Sequence, residues 1–276
     1  MSLIDKIKSL FTGKAADIFN TPPSHTAEHV SPSGKWRLVV TRHAPEDGPD
    51  GQKYWSYSKG VIFEGLRQVA EVRRNYSSFP FAWIENHPDG KSYVICGADY
   101  QGQTVVCLDT GEVKDYIPAQ AEMGHGFCWV VHHPSPDGTL LAVEGCYWAC
   151  PYEVRIYDFS KPMEMPHPLL HRETDLENFS GWKDAKTCGI HGTQSVFSKP
   201  GHRLDGLTES AIWRLGKEAE SELDAIMETD DYEWKDVVVS EKVWTCPEPR
   251  APEETPEERV AREDAAKEAN QAAAKG

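Results

Sequence analysis

Two pairs of residues in the middle of the chain are of the types that bind metal ions. Three residues separate Cys146 from Cys150, and two separate Cys188 from His191. Thiolates and imidazoles are the usual ligands of tetrahedral zinc, and the second spacing suits one arm of such a site. Alternatively, Cys146 and Cys150 are buried as small apolar residues and His191 is hydrogen-bonded within the fold. Zinc is therefore a candidate cofactor, and no other cofactor is indicated.

Aromatic side chains in segments typical of loops form a second group of candidate functional residues. Loops that display aromatic rings are more often recognition surfaces than packing elements. The alternative is that these rings fold back as covers over neighbouring elements. We predict a surface that binds a protein or a small ligand and contains Tyr54, Trp55, Tyr57, Tyr100, His125, Tyr147, Trp148, Tyr152 and Trp182.

Acid–base groups are present, but their pattern does not indicate a reaction. Histidines such as His125, His132 and His133 are unspecific in a chain with 11 of them. No nucleophile elbow, Walker loop, dinucleotide fingerprint or zinc-protease helix occurs. We therefore expect a binding or scaffold module rather than an enzyme. The alternative is a hydrolase or lyase that uses His125 or a Cys/His metal site.

The composition is that of an acidic globular protein. The 276 residues include 29 Lys and Arg and 44 Asp and Glu, for a net charge of −15. Such a chain is a poor candidate for nucleic-acid binding, which depends on Lys and Arg. No apolar stretch approaches the roughly 18 residues of a membrane span, and charged residues interrupt any signal-like segment. We expect a cytoplasmic protein.

The seven cysteines do not suggest a disulfide framework. Their number is odd, and no export signal accompanies them. Cys96 and Cys107 lie within apolar runs. We therefore expect them to be buried as small apolar residues.

A turn motif recurs along the chain. Pro presets φ, Asp or Ser can bond back to the backbone, and Gly accepts a positive φ. The copies are Ser31-Pro32-Ser33-Gly34, His87-Pro88-Asp89-Gly90, Ser135-Pro136-Asp137-Gly138 and a weaker Ser198-Lys199-Pro200-Gly201.

Short apolar, aromatic and β-branched runs flank these turns and are typical of strands. Around the second turn they cover residues 81–84 and 92–96, followed by 104–108 and 112–117. Four strands in about 45 residues form the unit of a β-propeller blade. A β-sandwich, which also uses short strands and turns, is the alternative.

The order of strand, Ser-Pro-Asp-Gly turn, strand, loop and strand resembles the divergent WD-repeat class of β-propellers over residues 29–160. The third strand of a unit ends in Leu108-Asp109-Thr110-Gly111 or Tyr157-Asp158-Phe159-Ser160. The resemblance implies an all-β fold, a small β-propeller of four or five blades over residues 24–246, and no particular activity. It also places the aromatic loops on one ligand-facing side of the propeller.

Residues 1–23 and 247–276 are predicted to lie outside this domain. Residues 2–12 have the pattern of a short amphipathic helix, which either contacts a membrane surface or partner or covers an edge of the propeller. Residues 247–276 form an acidic, Ala- and Glu-rich tail, helical or partly disordered, with a capping box from Thr255 to Glu258. Residues 208–229 suit either a helix or a solvated hairpin.

Overall fold

The computed structural model describes residues 18–44, 56–148, 150–229, 232–250 and 252–273. The predicted N-terminal helix over residues 2–12 lies outside these ranges, as do Tyr54 and Trp55. The described chain is mostly β and forms four antiparallel sheets, each built from strands that are consecutive in the sequence. This is the strand order of a β-propeller blade.

The first three sheets have four strands each, and the fourth has three. The first sheet contains β1 (His25–Val30), β2 (Trp36–His43), β3 (Tyr57–Glu64) and β4 (Arg67–Arg74). The second contains β5 (Ala82–Ile84), β6 (Tyr93–Cys96), β7 (Gln103–Cys107) and β8 (Val113–Tyr116). The third contains β9 (Cys128–Pro134), β10 (Leu140–Cys146), β11 (Tyr152–Asp158) and β12 (Leu169–Glu173). The fourth contains β13 (Asn178–Trp182), β14 (Thr187–Ser198) and β15 (Glu233–Thr245).

The first three copies of the turn motif join the first two strands of the first three sheets. Gly34, Gly90 and Gly138 have φ of 76°, 78° and 73°. Their amides donate to the carbonyls of Ser31, His87 and Ser135 at 2.8–3.0 Å. The fourth copy does not have this role, because Ser198 ends β14. The first turn of the fourth sheet instead follows β13, where the Asp184 carboxylate accepts from the amides of Lys186 and Thr187.

Successive sheets pack face to face through alternating strand residues, since neighbouring side chains point to opposite faces. In the second sheet, Val94 and Cys96 pack toward the first sheet, whereas Ile95 and Cys107 pack toward the third. A further apolar cluster joins the third and fourth sheets. The prediction that Cys96 and Cys107 are buried is confirmed.

Residues 208–229 are helical, so the helix alternative is confirmed over the hairpin. Helix α1 (Glu209–Arg214) is capped by Thr208, whose side chain accepts from the Ala211 amide. Helix α2 (Lys217–Met227) follows at once. Both pack on the far end of the β14–β15 hairpin through Ile212, Leu223, Ile226 and Phe197, among others.

The C-terminal tail begins as an anchored segment and continues as helix α3 (Pro256–Ala273). The predicted capping box is confirmed: the Thr255 amide donates to Glu258 at 2.8 Å, and the Glu258 amide donates to Thr255 Oγ1 at 3.1 Å. Arg250 forms an ion pair with Asp158 and donates to Thr139 Oγ1. The start of the tail is therefore held against the third sheet.

None of the helices in the described ranges combines the length and apolar character needed to cross a membrane.

Candidate functional site

A cavity of about 440 Å³ lies between the second and third sheets. The second sheet contributes Gln103 and Tyr116, and the third contributes Arg155 and Tyr157. Residues between 252 and 258 form another wall, so the C-terminal tail is part of the site. We call residues 252–258 the strap.

Arg155 is a buried cation in this cavity, with 2% of its side chain exposed. It lies on β11, where its Nε donates to Glu153 Oε1 at 2.6 Å and its Nη2 donates to the Tyr147 hydroxyl at 2.5 Å. Its Cζ lies 3.8 Å from the centroid of the Phe127 ring, a cation–π contact. The guanidinium plane is therefore fixed on several sides.

Glu257, at the start of α3, brings a carboxylate to the same group. Its Oε2 lies 3.5 Å from Arg155 Nη1, and its side chain is 13% exposed. The Tyr147 hydroxyl donates to Glu257 Oε1 at 2.7 Å while it accepts from Arg155. Tyr147 thus links the cation of the third sheet to the anion of the tail.

In the ion-pair cluster around Arg155, two cations face two carboxylates. Glu153 is bound by both Arg155 and Arg172, and Arg172 Nη2 lies 2.5 Å from Glu153 Oε2. Burial opposes the charge on Arg155, but Tyr157, Glu257, Tyr147 and Glu153 outweigh it and raise the pKa of Arg155. Arg155 therefore stays cationic, and a carboxylate beside it offsets a buried charge.

Gly145 allows Phe127 to lie beneath the guanidinium. It lies at a register shift in β10, and a Cβ placed there would be 2.5 Å from Phe127 Cζ and 2.2 Å from the Cys128 carbonyl oxygen. Real Cβ atoms do not approach other heavy atoms so closely. The glycine thus permits the packing that supports Arg155.

An aromatic surface lies beside the cavity and consists of Tyr76, Tyr100, Trp148 and Tyr152. Trp148 is 48% exposed, and its indole Nε1 donates to the Tyr100 hydroxyl at 3.2 Å. The rings of Tyr100 and Tyr76 have centroids 5.6 Å apart. Tyr152 is 41% exposed. Burial, the thiols of Cys146 and Cys128 and the Tyr76 phenol together raise the pKa of Tyr152.

The Tyr100 backbone is held in place by the neighbouring sheets. Its amide donates a hydrogen bond to Asn75 Oδ1 at 3.0 Å, which restrains the main chain at this turn. Its carbonyl accepts from the Trp129 amide at 3.0 Å. The ring that carries the Trp148 hydrogen bond therefore projects from a fixed main chain.

Two predicted surface residues lie in packed positions instead. Tyr57 is buried, and its ring packs edge-on against Phe19. Trp182 is half-buried against Phe179, and its indole donates to the His133 carbonyl at 2.9 Å. These rings cover neighbouring elements, which was the alternative for the aromatic loops. His125 is exposed, in the loop that follows a short 3₁₀ turn.

The candidate zinc ligands are not brought together. Cys188 is fully buried between the third and fourth sheets, whereas Cys150 is exposed. Cys146 lies opposite Cys128 in the β9–β10 pair, and His191 Nδ1 shares a 2.6 Å hydrogen bond with Ser180 Oγ. Across the described ranges, no three His, Cys, Asp or Glu side chains are placed to hold a metal ion. Cys188 and His191 lie within β14 and Cys146 ends β10, so the ligand-like spacing does not bring the four side chains together.

Sequence reasoning missed Glu153, Arg155 and Glu257. The signal for the first two was present, because Glu153, Arg155 and Tyr157 alternate with apolar residues in one strand. Charged residues on a face that is otherwise typical of a buried strand indicate a buried ion pair. Nothing local connected Glu257 with that strand.

Comparisons with known proteins assign no family to the chain. No protein-family model matches it. It is 32% identical over 159 residues to the uncharacterized protein R762 of Acanthamoeba polyphaga mimivirus, a match that covers 55% of this chain and 59% of that protein. It is 30% identical over 61 residues to the three-finger toxin MALT0044C of Micrurus altirostris, covering 19% of this chain and 72% of the toxin.

Two solved structures are similar at a low level. A putative 6-phosphogluconolactonase from Bacteroides fragilis has a TM-score of 0.34 and 13% identity, over 80% of this chain and 58% of that one. The β-propeller domain of Myceliophteria thermophila Cps50 (Swd1) has a TM-score of 0.28 and 8% identity, over 67% of this chain and 70% of that one. Scores at this level carry no argument about function.

Proposed function

We propose that the chain is a propeller-like binding module that recognises a protein partner through its aromatic surface. The observation that carries the proposal is the exposed Trp148, whose indole is held by the Tyr100 hydroxyl. Trp and Tyr dominate the energetics of protein interfaces because they bury large areas with few rotatable bonds. A ring that is already oriented loses little further freedom on binding.

The architecture supports such a role. Four sheets of consecutive strands pack in chain order, as the blades of a small β-propeller over residues 24–246 would. In this arrangement the loops after β6 and β10 extend from adjacent blades. They supply Tyr100 and Trp148 to one surface. The partner therefore contacts two blades at once.

The exposed Trp148 and the half-buried Tyr100 belong to a surface patch rather than to the lining of a pocket. Tyr100 and Trp148 are absent from the lining of the cavity beside them, although their sequence neighbours Gln101 and Tyr147 face it or its ion pair. Aromatic rings outside a cavity match the surface of a protein better than they enclose a small molecule. This favours a protein partner over a small ligand.

The experiment is affinity capture with the full chain as bait, followed by direct binding of each captured protein to purified variants. We expect Trp148→Ala to weaken the specific partner at least about tenfold, the scale of an interface hot spot. Trp213→Ala is the matched control, because Trp213 is 55% exposed but lies on α1. Equal affinities of the wild type and Trp148→Ala for every captured protein would exclude this surface.

A further inference from the structure

We propose that the cavity at Arg155 is a carboxylate-binding site for an acidic peptide, and that the strap occupies it as an intramolecular ligand through Glu257. This site is separate from the aromatic surface and does not depend on the function proposed for that surface. The ligand class follows from the charge, the hydrogen bonds and the backbone contacts of the strap.

The positive charge of Arg155 and Arg172 favours an anionic ligand at this site. Without the strap, which also brings Glu253, Glu254 and Glu258 to the cavity, Arg155 and Arg172 would face the single carboxylate of Glu153. Arg155 is almost fully buried, so solvent cannot screen the excess positive charge. A carboxylate supplied from another molecule would restore the balance that Glu257 provides.

Only one of the two carboxylate oxygens of Glu257 is hydrogen-bonded within the described part of the chain, so a second carboxylate could compete for the site. One oxygen, Oε1, accepts from the Tyr147 hydroxyl at 2.7 Å. The other, Oε2, is buried beside Arg155 Nη1 at 3.5 Å but has no hydrogen bond among the described residues. A buried acceptor without a hydrogen bond costs free energy. A carboxylate that satisfies both oxygens would therefore gain a hydrogen bond that Glu257 lacks, which partly offsets the advantage that the tether gives the strap.

The contacts of the strap favour a peptide over a small acid. The Glu253 amide donates to the Leu169 carbonyl at 2.7 Å, at the start of β12. Gln120 Nε2 donates to the Glu257 carbonyl at 3.0 Å. The walls thus bind main-chain groups on both sides of the carboxylate. The space of about 440 Å³ that remains beside the strap can accept ligand side chains.

The test measures fluorescence anisotropy of a labelled peptide that copies residues 250–264 of this chain. The proteins are the full-length wild type, Glu257→Gln, and Glu263→Gln as a control on the same helix. We expect Glu257→Gln to bind the peptide at least about tenfold more tightly than the wild type, since its own strap competes less. Glu263→Gln should match the wild type. A peptide with Gln in place of Glu257 should lose most of its affinity for Glu257→Gln.

Arg250→Ala is a second variant for the same measurement, in case Glu257→Gln does not fold. Arg250→Ala removes the ion pair to Asp158 that anchors the strap but leaves Arg155, Tyr147 and Glu257 intact. It should also bind the labelled peptide more tightly than the wild type. Equal affinity in the wild type and in every folded variant overturns the proposal. Equal binding of the Glu and Gln peptides also overturns it.

Discussion

Arg155 and Glu257 meet inside the cavity between the second and third sheets, with Arg155 Nη1 3.5 Å from Glu257 Oε2. The Tyr147 hydroxyl accepts from the guanidinium and donates to the carboxylate, so it bridges the two groups. Because Arg155 belongs to an inner strand and Glu257 to the tail, this contact holds the start of the C-terminal helix against the third sheet.

Loss of the Arg250 anchor should release the strap. We expect Arg250→Ala to increase amide hydrogen exchange in residues 252–258, because the ion pair with Asp158 and the hydrogen bond to Thr139 are lost. Arg259→Ala is the control, since Arg259 is exposed on α3. Unchanged exchange in Arg250→Ala would show that the contacts of Glu253 and Glu257 hold the strap without the Arg250 anchor.

Stability should fall as the pH drops from about 6.5 toward 5. Burial lowers the pKa of His132 to about 3 and that of His167 to about 4. Between these values and the usual pKa of about 6.5, the unfolded chain binds more protons than the folded chain. Acid therefore favours unfolding, by up to roughly 1.4 kcal/mol per pH unit for each histidine.

The pH effect can be measured as urea midpoints at pH 7.5, 6.0 and 5.0, where most carboxylates are still ionised. His132→Phe, which keeps a ring stacked on Trp129, should flatten the dependence. Exposed His125 is the control, and His125→Ala should keep the wild-type slope. A midpoint that does not change with pH in the wild type would contradict the prediction.

Thiol labelling should begin at Cys150. It is exposed, whereas burial raises the pKa of Cys96 and of Cys188 to about 12. Since the thiolate is the reactive form, iodoacetamide at pH 8 should modify Cys150 first in the folded protein. Peptide mapping by mass spectrometry identifies the site. Cys150→Ser should abolish the fast phase, and fast labelling of Cys188 would disprove its burial.

Gly145→Ala should destabilise the third sheet. The new methyl group would meet the Cys128 carbonyl oxygen and the Phe127 ring, and the backbone cannot move aside without breaking the β9–β10 pairing. We expect a loss of about 1–3 kcal/mol in the free energy of unfolding, measured with urea. Gly192→Ala should cost less, because the nearest atom is the Ser240 hydroxyl at 3.0 Å.

The sequence by itself determined the local elements. The turns at Gly34, Gly90 and Gly138 and the capping box of Thr255 and Glu258 depend on neighbours in the chain, and all are found as expected. The apolar runs predicted the strands for the same reason, since side-chain alternation is a local property. The fourth turn motif differed because a turn sequence does not determine which strands it joins.

Only the tertiary structure decided which distant groups meet. Cys188 and His191 have suitable spacing for a metal site, yet the packing of the third and fourth sheets buries Cys188 and leaves His191 with Ser180. Glu257 looked like one acid among many in a polar tail, and its contact with Arg155 depends on how the strap crosses the third sheet. Long-range contacts depend on burial and charge balance across sheets, which no local spacing specifies.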